Sequence, residues 1–367
     1  MKSTLFAACL VLLMSGCNSG SSNSTTQPIN QPKADYHFSD NALEEVLEER
    51  LAVLNSMNLT FDGKVYSTLK FSDDLYDDKL VMLSNIAGDS VILRLTDMSK
   101  SGSNCVIYFD SSNIEQFDCS PSKISSSSDR SLLESQTDST AKTVRLEFLT
   151  EAYNYLTAIG STILSAQLDS GEVNVKTSFA FDQFYRDVIC SGTCSNRVNS
   201  TLGVTTYLQL KKIIESHNGL KMNILFNNHI GGSADDDINM YTGLLINDNQ
   251  MNTFVTKNGS VFSGGTDLFA AGEQRILERA TKVGPIEQAM QIGVHSWSEG
   301  DKTAKDIPYT DESHRKQATY FNHIMGTQGI PFYMFTLDSA PAKGAHWVTQ
   351  ADSDKYGLIT KLINPKS

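Results

Sequence analysis

The sequence predicts a layered α/β domain in the C-terminal half of the chain, preceded by a small α+β region. Two observations indicate this fold class. After Glu172, short apolar runs typical of strands alternate with amphipathic stretches typical of helices. Before it, between Leu59 and about Phe117, apolar and polar residues alternate with the period of half-buried strands. At 367 residues the chain is long enough to hold both units.

The composition excludes several classes of protein. With 40% hydrophobic and 20% charged residues the chain can bury a core, which excludes wholesale disorder. Thirty basic side chains stand against 42 acidic ones, for a formal net charge of −12. Because this charge repels phosphate backbones, nucleic acid is not an expected partner.

The first 17 residues have the pattern of an export signal. After Lys2 comes an apolar run too short to span a bilayer, and it ends in Ser-Gly-Cys17. This end resembles a bacterial lipobox, which implies that Cys17 is lipidated and anchors the protein to the cell envelope. Asn18, rather than an aspartate, favours the periplasmic face of the outer membrane. The alternative is an ordinary secretory signal in which Cys17 is incidental.

Between the signal and the C-terminal domain the sequence predicts three segments. Residues 18–39 are rich in Ser, Thr, Asn and Gln and predict a flexible tether. Residues 40–142 predict an α+β region that starts with a helix over 41–57, and its low-complexity end, 123–142, predicts a linker or surface loop. Residues 143–172 predict a helical connector.

Four cysteines remain after the signal, an even number that suits an oxidising compartment. We favour two bridges that are local in sequence, Cys105 with Cys119 and Cys190 with Cys194. The other connectivities stay open. A metal site is the further alternative, although neither pair has the two-residue spacing of a zinc knuckle.

The predicted chemistry is carried by a turn between a strand and a helix, GSVFSGG at residues 259–265. A serine on such a turn is lifted out of the sheet, and small neighbours let a substrate carbonyl approach it. Ser263 is therefore the candidate nucleophile. Taken alone, the same pattern also fits a tight structural turn.

Two further motifs flank this turn in chain order. Upstream, a strand runs into GGS at residues 231–233; downstream, the strand IGVH delivers His295. In this order, and with the closing WVTQADSDKYGLITKLI, residues 173–367 resemble the Clp protease proteolytic subunit and the related signal peptide peptidase and crotonase-like folds. The resemblance covers about half the chain. It implies a ClpP/crotonase-like layered catalytic domain of repeated ββα units.

Carried over residue by residue, the resemblance implies a role for each matching position. Ser263 would attack a carbonyl, and His295 would take the proton as general base. The backbone N–H groups of Gly232 and Gly264 would stabilise the oxyanion.

The third member of a triad departs from the family pattern. Where the Clp subunit has its aspartate, this chain has Ala345. His346, next to it, is our first choice as the group that orients His295, and Asp338 is the alternative. An imidazole without an orienting side chain is the third interpretation.

Three consecutive acids, Asp235–Asp237, open the helix that follows GGS. We interpret them as favourable charges at a helix start. Calcium is the alternative, but the loop pattern of a calcium-binding hand is absent from the sequence.

These motifs predict an envelope-anchored serine hydrolase, a peptidase acting on peptide or protein substrates, without metal or cofactor. Membrane contact would be through the N-terminal lipid. Relatives of this fold form rings or tetramers, so a homo-oligomer stays open. The alternative function is a catalytically inactive relative that binds peptides or assembles envelope partners.

Overall fold

A computed structural model describes residues 30–75, 77–190 and 198–365. Within these ranges no helix combines the length and apolar character needed to cross a membrane. The N-terminal region contains two helices and ten strands: α1 (Asp40–Leu54), β1 (Met57–Phe61), β2 (Lys64–Tyr66), β3 (Thr68–Leu75), β4 (Asp78–Ser84), β5 (Ser90–Leu95), β6 (Asn104–Asp110), β7 (Asn113–Asp118), β8 (Ile124–Ser126), β9 (Arg130–Gln136), β10 (Thr143–Leu149) and α2 (Thr150–Asn154).

These strands form two antiparallel five-stranded sheets, in the orders β2-β1-β10-β9-β8 and β3-β4-β5-β6-β7. Alternation fixes the buried face of each strand. In β1, for example, Met57, Leu59 and Phe61 are buried, and the residues between them are only half-buried. The buried faces of both sheets share one core with α1.

The C-terminal region continues with the remaining elements: β11 (Thr162–Asp169), β12 (Glu172–Phe179), α3 (Asp182–Phe184), β13 (Asn199–Leu202), α4 (Val204–Ser216), β14 (Lys221–Phe226), β15 (His229–Ser233), α5 (Asp236–Asp248), β16 (Asn252–Val255), β17 (Ser260–Phe262), α6 (Gly264–Ala270), β18 (Arg275–Glu278), β19 (Ile292–Val294), β20 (Ser298–Glu299), β21 (Lys302–Thr303), α7 (Glu312–Met325), α8 (Gly329–Ser339), β22 (His346–Trp347), α9 (Gln350–Tyr356) and β23 (Lys361–Ile363).

Two largely parallel sheets organise this region. One has the order β11-β12-β14-β16-β18-β23 and the other β13-β15-β17-β19-β22. Successive units each place a strand in the first sheet, a strand in the second and then a helix: β12-β13-α4, β14-β15-α5 and β16-β17-α6. The predicted layered α/β fold of repeated ββα units, the ClpP/crotonase-like arrangement, is therefore confirmed.

The prediction of a helical connector over residues 143–172 is wrong. Its first part is strand β10, which pairs with β1 and β9. Val144, Leu146 and Phe148 are its buried residues, so the apolar spacing is two rather than the three to four of a helix. After the short α2, the segment continues as β11, which pairs antiparallel with β12.

Two further predictions on the N-terminal side need correction. The loop predicted over 123–142 contains β8 and β9. The end of the predicted tether is packed against the C-terminal region: the Tyr36 amide donates to Thr319 at 3.0 Å, and the Phe38 ring lies 5.4 Å from that of Tyr241. Residues 1–29, which include Cys17, lie outside the described residues.

The cysteine prediction is confirmed where the structure describes it. A disulfide joins Cys105, on β6, to Cys119, just after β7. Cys190 is also disulfide-bonded. Its predicted partner, Cys194, lies outside the described residues.

A buried carboxyl group links the two regions and makes stability depend on pH. Asp73, on β3, is 5% exposed and accepts hydrogen bonds from the Ser161 hydroxyl and, at 2.8 Å, from the Asp74 amide. Burial raises the pKa of Asp73 to about 7, although these hydrogen bonds act in the opposite direction. The folded protein therefore retains this proton between about pH 4 and pH 7, where the unfolded chain has lost it.

The free energy of unfolding is consequently expected to decrease between pH 6 and pH 8, with Asp73 contributing about 1.5 kcal/mol. Urea unfolding at both pH values measures this decrease. Asp73→Asn, which keeps a side chain able to hydrogen-bond, should show a decrease that is smaller by about this amount. The control Asp129→Asn, which changes an exposed carboxyl group, should show the same decrease as the wild type. Equal decreases in wild-type and Asp73→Asn protein would contradict the prediction.

Candidate functional site

Ser263 occupies a strained turn between β17 and α6. Its backbone has φ 53° and ψ −125°, outside the regions that residues other than glycine normally adopt. Strain of this kind costs about 1–3 kcal/mol and persists only where the surroundings impose it. Here the Ser263 amide donates to the Gly293 carbonyl at 3.1 Å, and its carbonyl accepts from Thr266 at 2.7 Å. The half-buried side chain thereby leaves the sheet, as the sequence predicts.

Two glycines let neighbouring backbone come close to this serine. A Cβ atom at Gly264 would lie 2.6 Å from the Cβ of Ser233, too close for any other residue. Gly232 has φ 142°, and a Cβ built on it would lie 3.7 Å from Ser263 Oγ. The structure therefore places both glycines predicted for an oxyanion site beside Ser263.

His295 follows β19, the strand next to β17. Its Nδ1 lies 2.6 Å from the carbonyl oxygen of Ala342. A carbonyl can only accept, so Nδ1 carries the proton and Nε2 is left as the basic nitrogen. The ring stacks on Phe262, the residue before Ser263, with centroids 4.8 Å apart.

Ser263 and His295 line the same small cavity, of about 40 Å³. The other walls of the cavity are side chains from α5, α6, α7 and α8. No direct hydrogen bond joins the Ser263 and His295 side chains in this structure. Ser263 and His295, which the order of motifs in the sequence predicts to lie together, therefore do line one cavity.

The groups predicted to orient His295 do not do so. His346, on β22, places Nε2 2.8 Å from Asp352 Oδ2. Asp338, at the exposed end of α8, pairs with Lys305 at 2.7 Å. The backbone carbonyl of Ala342 takes the place that was predicted for a side chain.

Two carboxyl groups that the sequence did not predict as site residues also line this cavity, Asp236 in the first turn of α5 and Asp267 in α6. Asp236 is exposed at the edge of this cavity, beside the carboxylates of Asp235 and Asp237. Burial and the charge of Asp236 raise the pKa of Asp267 well above its ordinary value. The only sequence signal for Asp267 was its position one helical turn after Ser263.

The three acids at the start of α5 have different environments. Asp235 caps the helix, accepting from the Ile238 amide at 3.2 Å, and is paired with Arg50 of α1. Asp237 pairs with Lys316 of α7 at 3.0 Å. The interpretation of this run as favourable charge at a helix start is confirmed, because Asp235 is the N-cap and Asp236 and Asp237 lie in the first turn of α5. Asp236, between them, faces the cavity.

A wider cleft of about 550 Å³ adjoins the cavity. The two spaces share Asp236, Trp297 and Gln317 as lining residues. One wall comes from the N-terminal region, through Arg50, residues 154–155 and residues 157–158, and the other from α5, α7 and β20. Among the described residues, no group of three or more His, Cys, Asp or Glu side chains is arranged to hold a metal ion.

No protein-family model matches the chain, and no curated protein matches its sequence. Solved structures with a similar fold include an enoyl-CoA hydratase from Bacillus anthracis, with 11% identity and a TM-score of 0.33, covering 55% of this chain and 70% of that one. An enoyl-CoA hydratase from Bacillus halodurans has 13% identity and a TM-score of 0.33, covering 55% and 74%. A monofunctional enoyl CoA isomerase from M. smegmatis has 12% identity and a TM-score of 0.32, covering 55% and 77%.

Proposed function

We propose that this protein is a serine hydrolase with Ser263 as nucleophile and His295 as general base. The observation that carries the proposal is the strained Ser263 turn, which opens into the same cavity as the His295 ring. A strained backbone persists only when its surroundings hold it in place, and here the constraint presents a hydroxyl to the cavity that the His295 ring also lines.

The proposed reaction starts with attack of Ser263 Oγ on a substrate carbonyl carbon. Nε2 of His295 takes the hydroxyl proton, and the backbone N–H groups of Gly232 and Gly264 stabilise the oxyanion. When the tetrahedral intermediate collapses, His295 returns the proton to the leaving group. Water then attacks the acyl-enzyme carbonyl and gives a proton to Nε2, and His295 passes that proton to Ser263 Oγ as the ester bond breaks and the acid leaves.

The Ala342 carbonyl affects the expected rate. It fixes the ring orientation and the tautomer of His295, which are two of the tasks of a triad carboxylate. It carries only a dipole, so it stabilises the imidazolium formed during attack less than a full charge would. We therefore expect a slower hydrolase than one with a complete triad.

The substrate and location that we propose are those predicted from the sequence: a peptide or protein, in the cell envelope, with lipid on Cys17. The cleft of about 550 Å³ that adjoins the Ser263 cavity is large enough for several residues of a peptide. The Cys105–Cys119 disulfide supports an oxidising compartment.

Covalent labelling by a fluorophosphonate tests the enzymatic proposal. Wild-type protein is expected to be labelled on Ser263, located by mass spectrometry of the labelled peptide, and Ser263→Ala should remain unlabelled. Ser298→Ala is the matched control, since it removes an exposed serine from the rim of the same cleft.

Binding without catalysis is the second candidate function, and the missing hydrogen bond between Ser263 and His295 is the observation that favours it. The labelling experiment separates the two functions. A folded wild-type protein that takes up no label, or labels equally after Ser263→Ala, would contradict the hydrolase proposal and favour the binding protein.

A further inference from the structure

Gln317, on α7, is a buried polar side chain without a partner where the small cavity meets the cleft. It is 9% exposed and lines both the cavity that holds Ser263 and His295 and the wider cleft. Among the described residues, no group donates to its amide oxygen or accepts from its amide nitrogen. Buried amides normally have such partners, so the unpaired amide indicates a ligand.

The other two residues shared by the cavity and the cleft differ from Gln317. The indole N–H of Trp297 donates to the Tyr333 hydroxyl at 3.0 Å, so Trp297 contributes its ring to the wall. Asp236 is exposed, and water can hydrate its carboxylate. Gln317 combines burial with an unpaired donor and an unpaired acceptor. Neither of its amide atoms is among the fully enclosed, unpartnered atoms of the described residues, so both can be reached from the spaces that it lines.

The chemistry of a side-chain amide limits the groups that can satisfy it. Its nitrogen donates and its oxygen accepts, side by side. A carboxylate or phosphate would pair only with the nitrogen, and an ammonium group only with the oxygen, which would leave the other atom unpaired at a cost. One residue of an extended polypeptide has its N–H and C=O on the same side, as in paired antiparallel strands, and can therefore pair with both atoms.

We infer that Gln317 binds the backbone N–H and C=O of one substrate residue next to the cleaved bond, and thereby selects extended peptides over analogues that lack this N–H. This inference rests on the proposed hydrolase function and names the group by which its substrate is recognised. Because Gln317 lines both spaces, a peptide bound to it can place a carbonyl at Ser263 and continue into the cleft of about 550 Å³.

Two diphenyl phosphonate probes test the inference without a known substrate. Both contain diphenyl 1-aminoethylphosphonate, acylated by N-acetylalanine in one and by O-acetyl-lactic acid in the other, so that a single N–H is replaced by oxygen. In both, Ser263 Oγ attacks phosphorus, the new P–O bond replaces a P–O bond to phenoxide, and His295 passes the serine proton to the leaving phenol. The measured quantity is the second-order rate constant of labelling.

The wild-type protein is expected to react about tenfold faster with the alanyl probe than with the lactyl probe, because only the alanyl probe can donate to the oxygen of Gln317. Gln317→Met, which removes the amide at nearly unchanged size, should bring the ratio close to one. Gln328→Met is the matched control, because it changes an exposed glutamine between α7 and α8 and should leave the ratio unchanged.

Urea unfolding distinguishes substrate recognition from a structural role of Gln317. Since its amide has no partner among the described residues, Gln317→Met should unfold at a urea concentration no lower than that of the wild type. A clearly lower midpoint for Gln317→Met would contradict the inference, because the fold itself would then require the amide.

The outcomes of labelling separate this inference from the proposed function. If an uncharged fluorophosphonate labels Ser263 but the two phosphonates react equally fast with wild-type protein, recognition by Gln317 is wrong and the hydrolase stands. If Gln317→Met retains the full preference, another group binds the N–H and the assignment to Gln317 is wrong. If no probe labels Ser263, the hydrolase proposal fails, and this inference fails with it.

Discussion

Replacement of His295 by alanine is expected to slow fluorophosphonate labelling of Ser263 about 10³-fold, which is the usual contribution of a positioned general base. Without the imidazole, the hydroxyl proton has no acceptor in the cavity at neutral pH other than water or a carboxylate. The time course of labelling measures the loss, and hydrolysis of a p-nitrophenyl ester gives a second reading.

His346→Ala is the matched control, since it removes an imidazole from the neighbouring strand β22. Because His346 is hydrogen-bonded to Asp352 and not to His295, we expect little change in the labelling rate. Added imidazole should partly restore His295→Ala if the lost group is a base, and should not restore a misfolded protein. A loss after His346→Ala as large as that after His295→Ala would overturn the assignment of Ala342 as the orienting group.

The sequence located Ser263 and His295 because both depend on local signals joined by a regular topology. A glycine-rich strand-to-helix turn around Ser263 is a property of consecutive residues. Parallel ββα units then place the ends of successive strands at one edge, so that His295, after β19, lies beside the end of β17. Chain order was therefore enough to predict that the two share a site.

The orienting group was not predictable by the same reasoning. Near Ala345 the sequence offers two side chains that could orient an imidazole, His346 and Asp338. The acceptor is instead the carbonyl of Ala342, a group that every residue carries and that leaves no mark in the sequence. Only the path of the chain between α8 and β22 brings it to Nδ1.

Two other features were not predicted because the same sequence pattern fits more than one structural environment. They are the acids that line the cavity and the strands within residues 143–172. A run such as Asp235–Asp237 satisfies the start of a helix, and the pattern does not show which of the three points into a cleft. Likewise, the short apolar run of β10 fits either a helix or a strand until its partners β1 and β9 are known.

Arg50→Ala is expected to lower the free energy of unfolding by about 3 kcal/mol, because it leaves the Asp235 carboxylate buried without its partner. The Asp235 side chain is 4% exposed, and the Nε of Arg50 donates directly to its Oδ2. This pair fixes α1 of the N-terminal region to the start of α5, on the cleft wall. Urea unfolding of the wild type and the variant measures the change.

A second substitution shows whether the buried charge, rather than lost packing, causes this instability. Arg50→Ala combined with Asp235→Asn removes both charges while an amide oxygen still caps α5, so most of the lost stability should return. Arg145→Ala is the control, since its partners Glu134 and Glu147 are on the surface and such pairs contribute about 0–1 kcal/mol. If the double variant is as unstable as Arg50→Ala alone, then contacts of the Arg50 side chain other than its charge hold the N-terminal region in place. Recovery of stability would instead establish that this ion pair holds α1 against the start of α5. It would then also hold the wall of the cleft that lies opposite Asp236.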